Sequence, residues 1–287
     1  MTSSLTFAQT GAMIKSAVFK LVTVVLVSGA GAAAVAQEAP KPGTKHGGTF
    51  YFAWGYNKDW FTRSDLHFED HVTDDYDFIV HDAAAHDNPS VDKIFESDVS
   101  VPQYNYRFGY YFNDSHNLGV EISFDHTKYI VTHDQRVHVT GTIRGTAVDA
   151  DTLIREDFLL FEHTNGANFL MVNLLKRQEL VTSKNGKQGL AVIAKVGAGI
   201  VIPKTDVTLF GERRDNVFHV AGYLTGIEAA IRWHFLKSFF LEPAVKGVYA
   251  NYVNVLTVGS ARANHHFFAS EVIVTGGFQL NFGKQDQ

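Results

Sequence analysis

Two neighbouring segments of the sequence alternate between apolar and polar residues with a period of two. Every second residue from Tyr104 to Phe112 is aromatic, and every second residue from Leu118 to Phe124 is apolar. Successive side chains of a β-strand point to opposite faces. Each segment therefore predicts a strand with one apolar and one polar face, and residues 113–117 predict the turn between the two strands.

Six further segments show the same period and have the length that a tilted strand needs to cross a bilayer, roughly nine residues or more. They are Thr49–Asn57, Asn168–Leu180, Leu190–Ile202, Phe218–Phe235, Phe239–Tyr252 and Phe267–Phe282. The connections after the second, fourth and sixth strands are short, and the others are long. Short turns on one side and long loops on the other are typical of outer-membrane barrels.

The N-terminal residues 1–36 read as a secretory signal peptide. Lys15 and Lys20 precede an apolar run to Ala34, and Ala34-Val35-Ala36 forms an A-x-A cleavage site. The run is short for a transmembrane helix. We expect residues 37–48 to form a periplasmic lead-in, residues 49–283 the barrel, and residues 284–287 a C-terminal tail.

Composition excludes several kinds of site. The chain has no cysteine, which removes thiolate catalysis and cysteine-bound zinc, and its net charge of −5 lacks the basic footprint of a nucleic-acid-binding protein. We expect no cofactor and no metal. Phenylalanine is abundant, at 23 residues, and aromatic side chains collect at membrane interfaces.

The last predicted strand ends in GGFQLNFGKQDQ, where Phe278, Leu280 and Phe282 alternate with polar residues. This ending resembles the closing strand of bacterial outer-membrane barrels. The resemblance implies an all-β, eight-stranded antiparallel transmembrane β-barrel with long extracellular loops, in the outer membrane of a Gram-negative cell. Its partners would be membrane lipid and lipopolysaccharide, with a small apolar ligand as a further candidate. A soluble lipocalin-like barrel is the alternative, and it would point its apolar side chains inward.

In the membrane orientation, nine charged residues face the inside of the barrel: Arg107, Glu121, Asp125, Lys195, Glu228, Arg232, Glu242, Lys246 and Glu271. The interior of an eight-stranded barrel is just wide enough for side chains. Because an unpaired buried charge costs several kcal/mol, we expect these groups to pair and plug the lumen. A proton or ion path is the alternative. Phe169 and Met171 also face inward, which indicates a pocket or a register error.

Two long loops carry further expectations. Residues 59–100 are rich in Asp and include His67, His71, His81 and His86, which fits either divalent-cation binding or a solvated acidic loop. Within them, residues 75–87 predict an extra strand and residues 88–97 a short helix. The loop after the third strand contains an expected hairpin in residues 128–145, with two arms around the turn His133-Asp134-Gln135, and the loop-hairpin region is assigned to residues 133–166.

The string FEHTNGANF faintly resembles the H-x-S-N string of lipid A deacylase barrels. The resemblance implies acyl-ester hydrolysis with His163 as base, Thr164 as the nearest hydroxyl and Glu162 as orienting acid. The family's serine is missing, and alternation along a strand would put His163 and Thr164 on opposite faces. The other interpretation is a polar strand-to-loop junction.

Three functions remain after these observations. The favoured one is a non-enzymatic surface barrel that supports envelope integrity or binds lipid or a small ligand. The alternatives are a lipid A or phospholipid acyl-ester hydrolase and a narrow channel for small solutes.

Overall fold

The computed structural model describes residues 47–88, 103–112, 117–184 and 187–282. These residues form seventeen strands. They are β1 (Thr49–Phe61), β2 (Ser64–Asp70), β3 (Tyr76–Ala83), β4 (Ala85–His86), β5 (Tyr104–Tyr111), β6 (Leu118–Asp125), β7 (Tyr129–Val131), β8 (Arg136–Ile143), β9 (Thr146–Leu153), β10 (Leu159–His163), β11 (Phe169–Thr182), β12 (Gly189–Val201), β13 (Asp206–Leu209), β14 (Glu212–Asp215), β15 (Gly222–His234), β16 (Phe239–Leu256) and β17 (Arg262–Asn281). In these ranges no helix has the length and hydropathy to span a bilayer.

Eight of these strands pair in a ring, in the order β1-β5-β6-β11-β12-β15-β16-β17. Strand β1 pairs antiparallel with β5 on one side and with β17 on the other, which closes the sheet on itself. Closure leaves the ring without an unpaired edge, as hydrocarbon surroundings require. The all-β antiparallel barrel predicted from the sequence is confirmed.

Several ring strands are longer than the alternation predicted. Strand β1 continues past Asn57 to Phe61, β16 runs on to Leu256, and β17 begins at Arg262. Their extra residues carry the barrel wall beyond its apolar outer surface. The predicted turn at residues 113–117 and the predicted helix at residues 88–97 lie mostly outside the described residues.

The long loops fold into two sheets, here called the cap. The first, the outer sheet, consists of β2, β3, β8 and β9 and continues the barrel wall, because residues 262–265 of β17 pair with β2. The second sheet has the order β14-β13-β10-β7-β4. Strand β3 lies within the segment that was predicted as an extra strand, residues 75–87.

The expected hairpin around His133-Asp134-Gln135 does not form. Its first arm, β7, pairs with β4 and β10 in the second sheet, whereas its second arm, β8, pairs with β3 and β9 in the outer sheet. All three residues of β7 are buried. Pairing with β4 and β10 places this strand inside the second sheet, where its apolar side chains are removed from water. The second arm, β8, instead forms a hairpin with β9, and Arg144 and Gly145 make the turn between them, both at positive φ.

The cap has an aromatic core. Phe68 and Phe78 stack with ring centroids 5.3 Å apart, and the ring of Phe161 from the second sheet meets Phe68 edge-on at 5.5 Å. Phe169 and Met171 belong to the same core. Their inward-facing apolar side chains therefore mark the point where the barrel interior passes into the cap, and the assigned register is correct.

The outer surface of the ring is apolar. Val172 and Leu174 are 61% and 63% exposed, although both are aliphatic residues in the middle of a strand. Exposed apolar side chains recur around the ring and form the apolar belt: Trp54, Phe108, Ile122, Val172, Leu174, Val196, Ile227, Ile231, Trp233, Leu241, Phe268, Val274 and Leu280. A soluble barrel would hide such residues, so this surface fits hydrocarbon.

Candidate functional site: the charged lumen

The nine charged residues predicted to face inward are all buried. They alternate along β5, β6, β12, β15, β16 and β17 with the residues of the apolar belt, so the pleat of each strand determines the position of every charge. Ion pairs join all nine into one network, with five acids and four bases.

Arg107 is at the centre of this network. Its Nη1 lies 2.5 Å from Asp125 Oδ1, and its Nη2 lies 3.6 Å from Glu228 Oε2. Strands β5 and β15, which carry Arg107 and Glu228, are four places apart in the ring order and therefore face each other across the lumen. The guanidinium also lies 3.8 Å from Glu121. One side chain thus connects opposite walls.

Lys195 forms a second centre. Its Nζ lies 2.8 Å from Glu121, 2.9 Å from Glu228 and 3.2 Å from Glu242. Neutral groups supply the remaining bonds of Glu121, since Tyr51 donates its hydroxyl proton to Oε2 at 2.5 Å and Asn173 donates to Oε1 at 3.2 Å. Hydrogen bonds of this kind satisfy a buried carboxylate that would otherwise be costly.

Arg232 connects the charges to an aromatic layer. It donates to Glu242, and its guanidinium carbon lies 3.9 Å from the Phe240 ring centroid and 4.1 Å from that of Tyr51. Cation–π contacts are strongest where both partners are desolvated. Gly109 makes room for this layer, because a Cβ there would lie 2.1 Å from the Tyr51 ring.

Asp59 is a further buried acid of the lumen, although the sequence predicted it to lie in the first long loop. Asp59 is buried on the inner face of β1, opposite Glu271 of β17. It accepts hydrogen bonds from Asn57 Nδ2 at 2.9 Å and from Gln103 Nε2 at 2.9 Å. Alternation could have found it, since Asn57 and Asp59 continue the inward positions of β1. The predicted strand ended at Asn57, whereas β1 continues to Phe61.

His163 lies in the cap, and its buried side chain points to the opposite face of β10 from the side chain of Glu162. Its Nδ1 lies 3.0 Å from the hydroxyl oxygen of Thr205, and its Nε2 lies 3.4 Å from Nε2 of His265. Burial lowers the pKa of His163 to about 3, so the imidazole is neutral. Thr164 donates to Glu162 at 3.1 Å on the opposite face of the chain. The structure therefore does not place His163 and Thr164 as a base–hydroxyl pair oriented by Glu162.

The acidic loop of the sequence analysis supplies the exposed face of the outer sheet. His67 lies 2.7 Å from Asp77, and His81 lies 3.5 Å from Asp65. Across the described part of the chain, no three His, Cys, Asp or Glu side chains converge on a common centre in their present rotamers. His71 is exposed in the turn that follows β2.

Solved structures with similar topology are outer-membrane proteins. The outer membrane protein OprG from Pseudomonas aeruginosa aligns over 82% of this chain and 97% of its own, with 11% identity and a TM-score of 0.38. The outer membrane protein AlkL aligns over 88% and 99%, with 10% identity and a TM-score of 0.33. Ail, the attachment invasion locus protein of Yersinia pestis, aligns over 82% and 99%, with 9% identity and a TM-score of 0.29.

No family model matches the chain, and no curated protein matches it in sequence. The architecture therefore rests on the strand pairing described above.

Proposed function

We propose that this protein is a non-enzymatic outer-membrane surface barrel that binds lipid or a small ligand. It would neither transport solutes through its lumen nor hydrolyse lipid. It would sit in the lipopolysaccharide-containing membrane through its apolar belt and present the cap outside the cell. The observation that carries the proposal is the ion pair between Arg107 and Glu228, which spans the lumen beneath the aromatic core of the cap.

The distribution of polarity supports a membrane location. Apolar side chains cover the outside of the ring and charged side chains fill its inside. In water this arrangement would expose hydrocarbon and bury ions, at a high free-energy cost on both counts. In a bilayer the same arrangement is the stable one.

Packed side chains fill the interior and argue against transport. The charge network interleaves with the aromatic and aliphatic cluster around Tyr51 and Phe240, and the core of the cap follows them. A solute crossing this path would have to break paired charges and then open an aromatic core. Binding at the exposed cap needs no such rearrangement.

The hydrolase interpretation gains no support from the geometry. A hydroxyl nucleophile needs its base within hydrogen-bond reach and must also be reached by the substrate. The hydroxyl near His163 is that of Thr205, and both side chains are fully buried, whereas Thr164 contacts Glu162 instead. Mass spectrometry of lipid A and phospholipids from cells with and without the protein tests this alternative. We expect identical acyl patterns, and a lost acyl chain would show that the protein is an enzyme.

Planar-bilayer recording tests the closed lumen directly. The refolded protein should first show the altered gel mobility of a folded barrel before heating, so that silence is not due to misfolding. We expect no steady single-channel openings over a range of voltages. Reproducible openings that scale with protein concentration would overturn the proposed function.

A further inference from the structure

The exposed face of the outer sheet carries a group of residues that the proposed function does not use. Alternation on β2, β3 and β8 sends apolar side chains into the cap core and sends His67, His81 and His138 to the opposite face. These imidazoles are partly exposed. Polar residues are ordinary on an exposed face. The short distance between two of these histidines is not, and it needs an explanation.

His81 of β3 and His138 of β8 are directly opposite each other in the antiparallel register. Their ring centroids are 6.0 Å apart and the rings are inclined by 31°. Cross-strand neighbours have Cβ atoms about 4.5–5.5 Å apart. A metal ion bound to two imidazole nitrogens, each at about 2.0–2.1 Å, holds its two rings at a comparable separation.

Carboxylates flank this histidine pair on both sides. Asp65 Oδ2 lies 3.5 Å from Nδ1 of His81, while Asp149 and Asp151 lie 3.0 Å from Nε2 and Nδ1 of His138. Both ring nitrogens of His138 thus face a carboxylate. A neutral imidazole has only one N–H donor, so the carboxylates favour a positive charge here, carried either by a protonated His138 or by a bound cation.

We propose that His81 and His138 bind a divalent transition-metal ion, with a carboxylate oxygen from Asp65, Asp149 or Asp151 completing the ligand set. The sheet backbone fixes the spacing of the two histidines, and rotation about their side-chain bonds brings the nitrogens onto one ion. Metal binding would replace the present hydrogen bonds, including the half-buried one between His81 Nε2 and Thr140 at 2.7 Å.

The donor set indicates which metals bind. Imidazole nitrogen suits Zn²⁺, Ni²⁺ and Cu²⁺, whereas Ca²⁺ and Mg²⁺ prefer sites made of oxygen alone. A site that depends on the histidine pair will therefore bind Zn²⁺ and Ni²⁺ and will discriminate against Ca²⁺. This property concerns the cap alone, so it stands or falls separately from the closed lumen.

Isothermal titration of the refolded full chain with Zn²⁺ or Ni²⁺ tests the site. We expect one saturable site whose affinity falls by about tenfold or more in either His81→Asn or His138→Asn. His67→Asn is the matched control, because His67 lies on the same face and also contacts one carboxylate, Asp77, but has no opposing histidine. The control should bind as the unchanged protein does.

Electron paramagnetic resonance with Cu²⁺ provides a second readout that does not depend on a variant. Coupling to two imidazole nitrogens is expected at one equivalent of Cu²⁺. Three results would overturn the proposal: oxygen-only coordination, equal affinity for Ca²⁺, or equal loss of binding in the His67→Asn control.

Discussion

Lys246 of β16 donates a hydrogen bond to Asp125 of β6, although the two strands are four places apart in the ring. The pair therefore crosses the full width of the barrel interior. Arg107 and Glu228 form a second crossing between β5 and β15. These two pairs connect opposite walls of the barrel. The charged side chains of the interior therefore contact one another instead of water.

Replacement of Arg107 by leucine should destabilise the barrel strongly. The change leaves Asp125 and Glu228 buried without their shared counter-ion, and breaking one side of a buried ion pair costs about 3–5 kcal/mol. Urea unfolding of the refolded protein measures this change. Arg63→Leu is the control, since the Arg63–Asp82 pair is exposed and should contribute about 0–1 kcal/mol. Equal midpoints for the two variants would contradict the network.

Replacement of Gly109 by alanine should also be destabilising, for steric reasons. The new Cβ would overlap the ring of Tyr51 at 2.1 Å, which must then leave its contact with Arg232. Overpacking of this kind costs about 1–3 kcal/mol. Gly276→Ala is a matched strand substitution, because no atom lies within 4 Å of its Cβ position. A loss of stability in Gly276→Ala as large as in Gly109→Ala would point to a general effect of losing glycine.

Acidification should weaken the cap through His163. Burial lowers its folded pKa to about 3, whereas the unfolded chain titrates near pH 6.5. Between these values the unfolded state binds a proton that the folded state excludes, so the free energy of unfolding falls as the pH falls. The contribution is fully present above pH 6.5 and declines by up to about 1.4 kcal/mol per pH unit below it.

A comparison with His163→Asn isolates this contribution from that of other titrating groups. The stability difference between the unchanged protein and the variant should narrow by about 2 kcal/mol from pH 7 to pH 5. Chemical unfolding at each pH gives the two curves. Parallel curves over that interval would show that His163 takes up a proton in the folded cap.

Phe68→Ala should open the cap core. The side chain is fully buried between Phe78 and Phe161, and truncation of a buried phenylalanine costs about 3–5 kcal/mol. Limited proteolysis of the refolded protein should then cut the cap faster. Val72→Ala, at a residue that is 84% exposed, should digest like the unchanged protein. Unaltered digestion of Phe68→Ala would mean that this contact does not hold the cap.

Much of the ring could be predicted because its information is local. The alternation of Arg107 with Phe108, and of Glu121 with Ile122, needs only the pleat of a strand to assign each side chain to a face. Combined with the membrane orientation, the same rule placed all nine charges on the inner face. It did not say which charges would pair, because Arg107 and Glu228 are separated by more than one hundred residues and meet only when the ring closes.

The cap was beyond such rules. Strand β7 could pair equally with the neighbouring β8 or with a distant strand, and its choice of β4 and β10 depends on burial between two layers. Likewise, Asp59 belongs to β1 because β17 is long enough to pair with it there, through Glu271. Neither partner is adjacent in sequence.

By itself, the order of residues determined the ring strands and their division into one apolar and one polar face, since these depend on a repeat of two along the backbone. Only the tertiary structure decided that the charges bridge opposite walls, that the long loops stack into a two-sheet cap, and that His81 meets His138. Those outcomes depend on distances between remote strands, which closure of the sheet and burial of aromatic rings establish together.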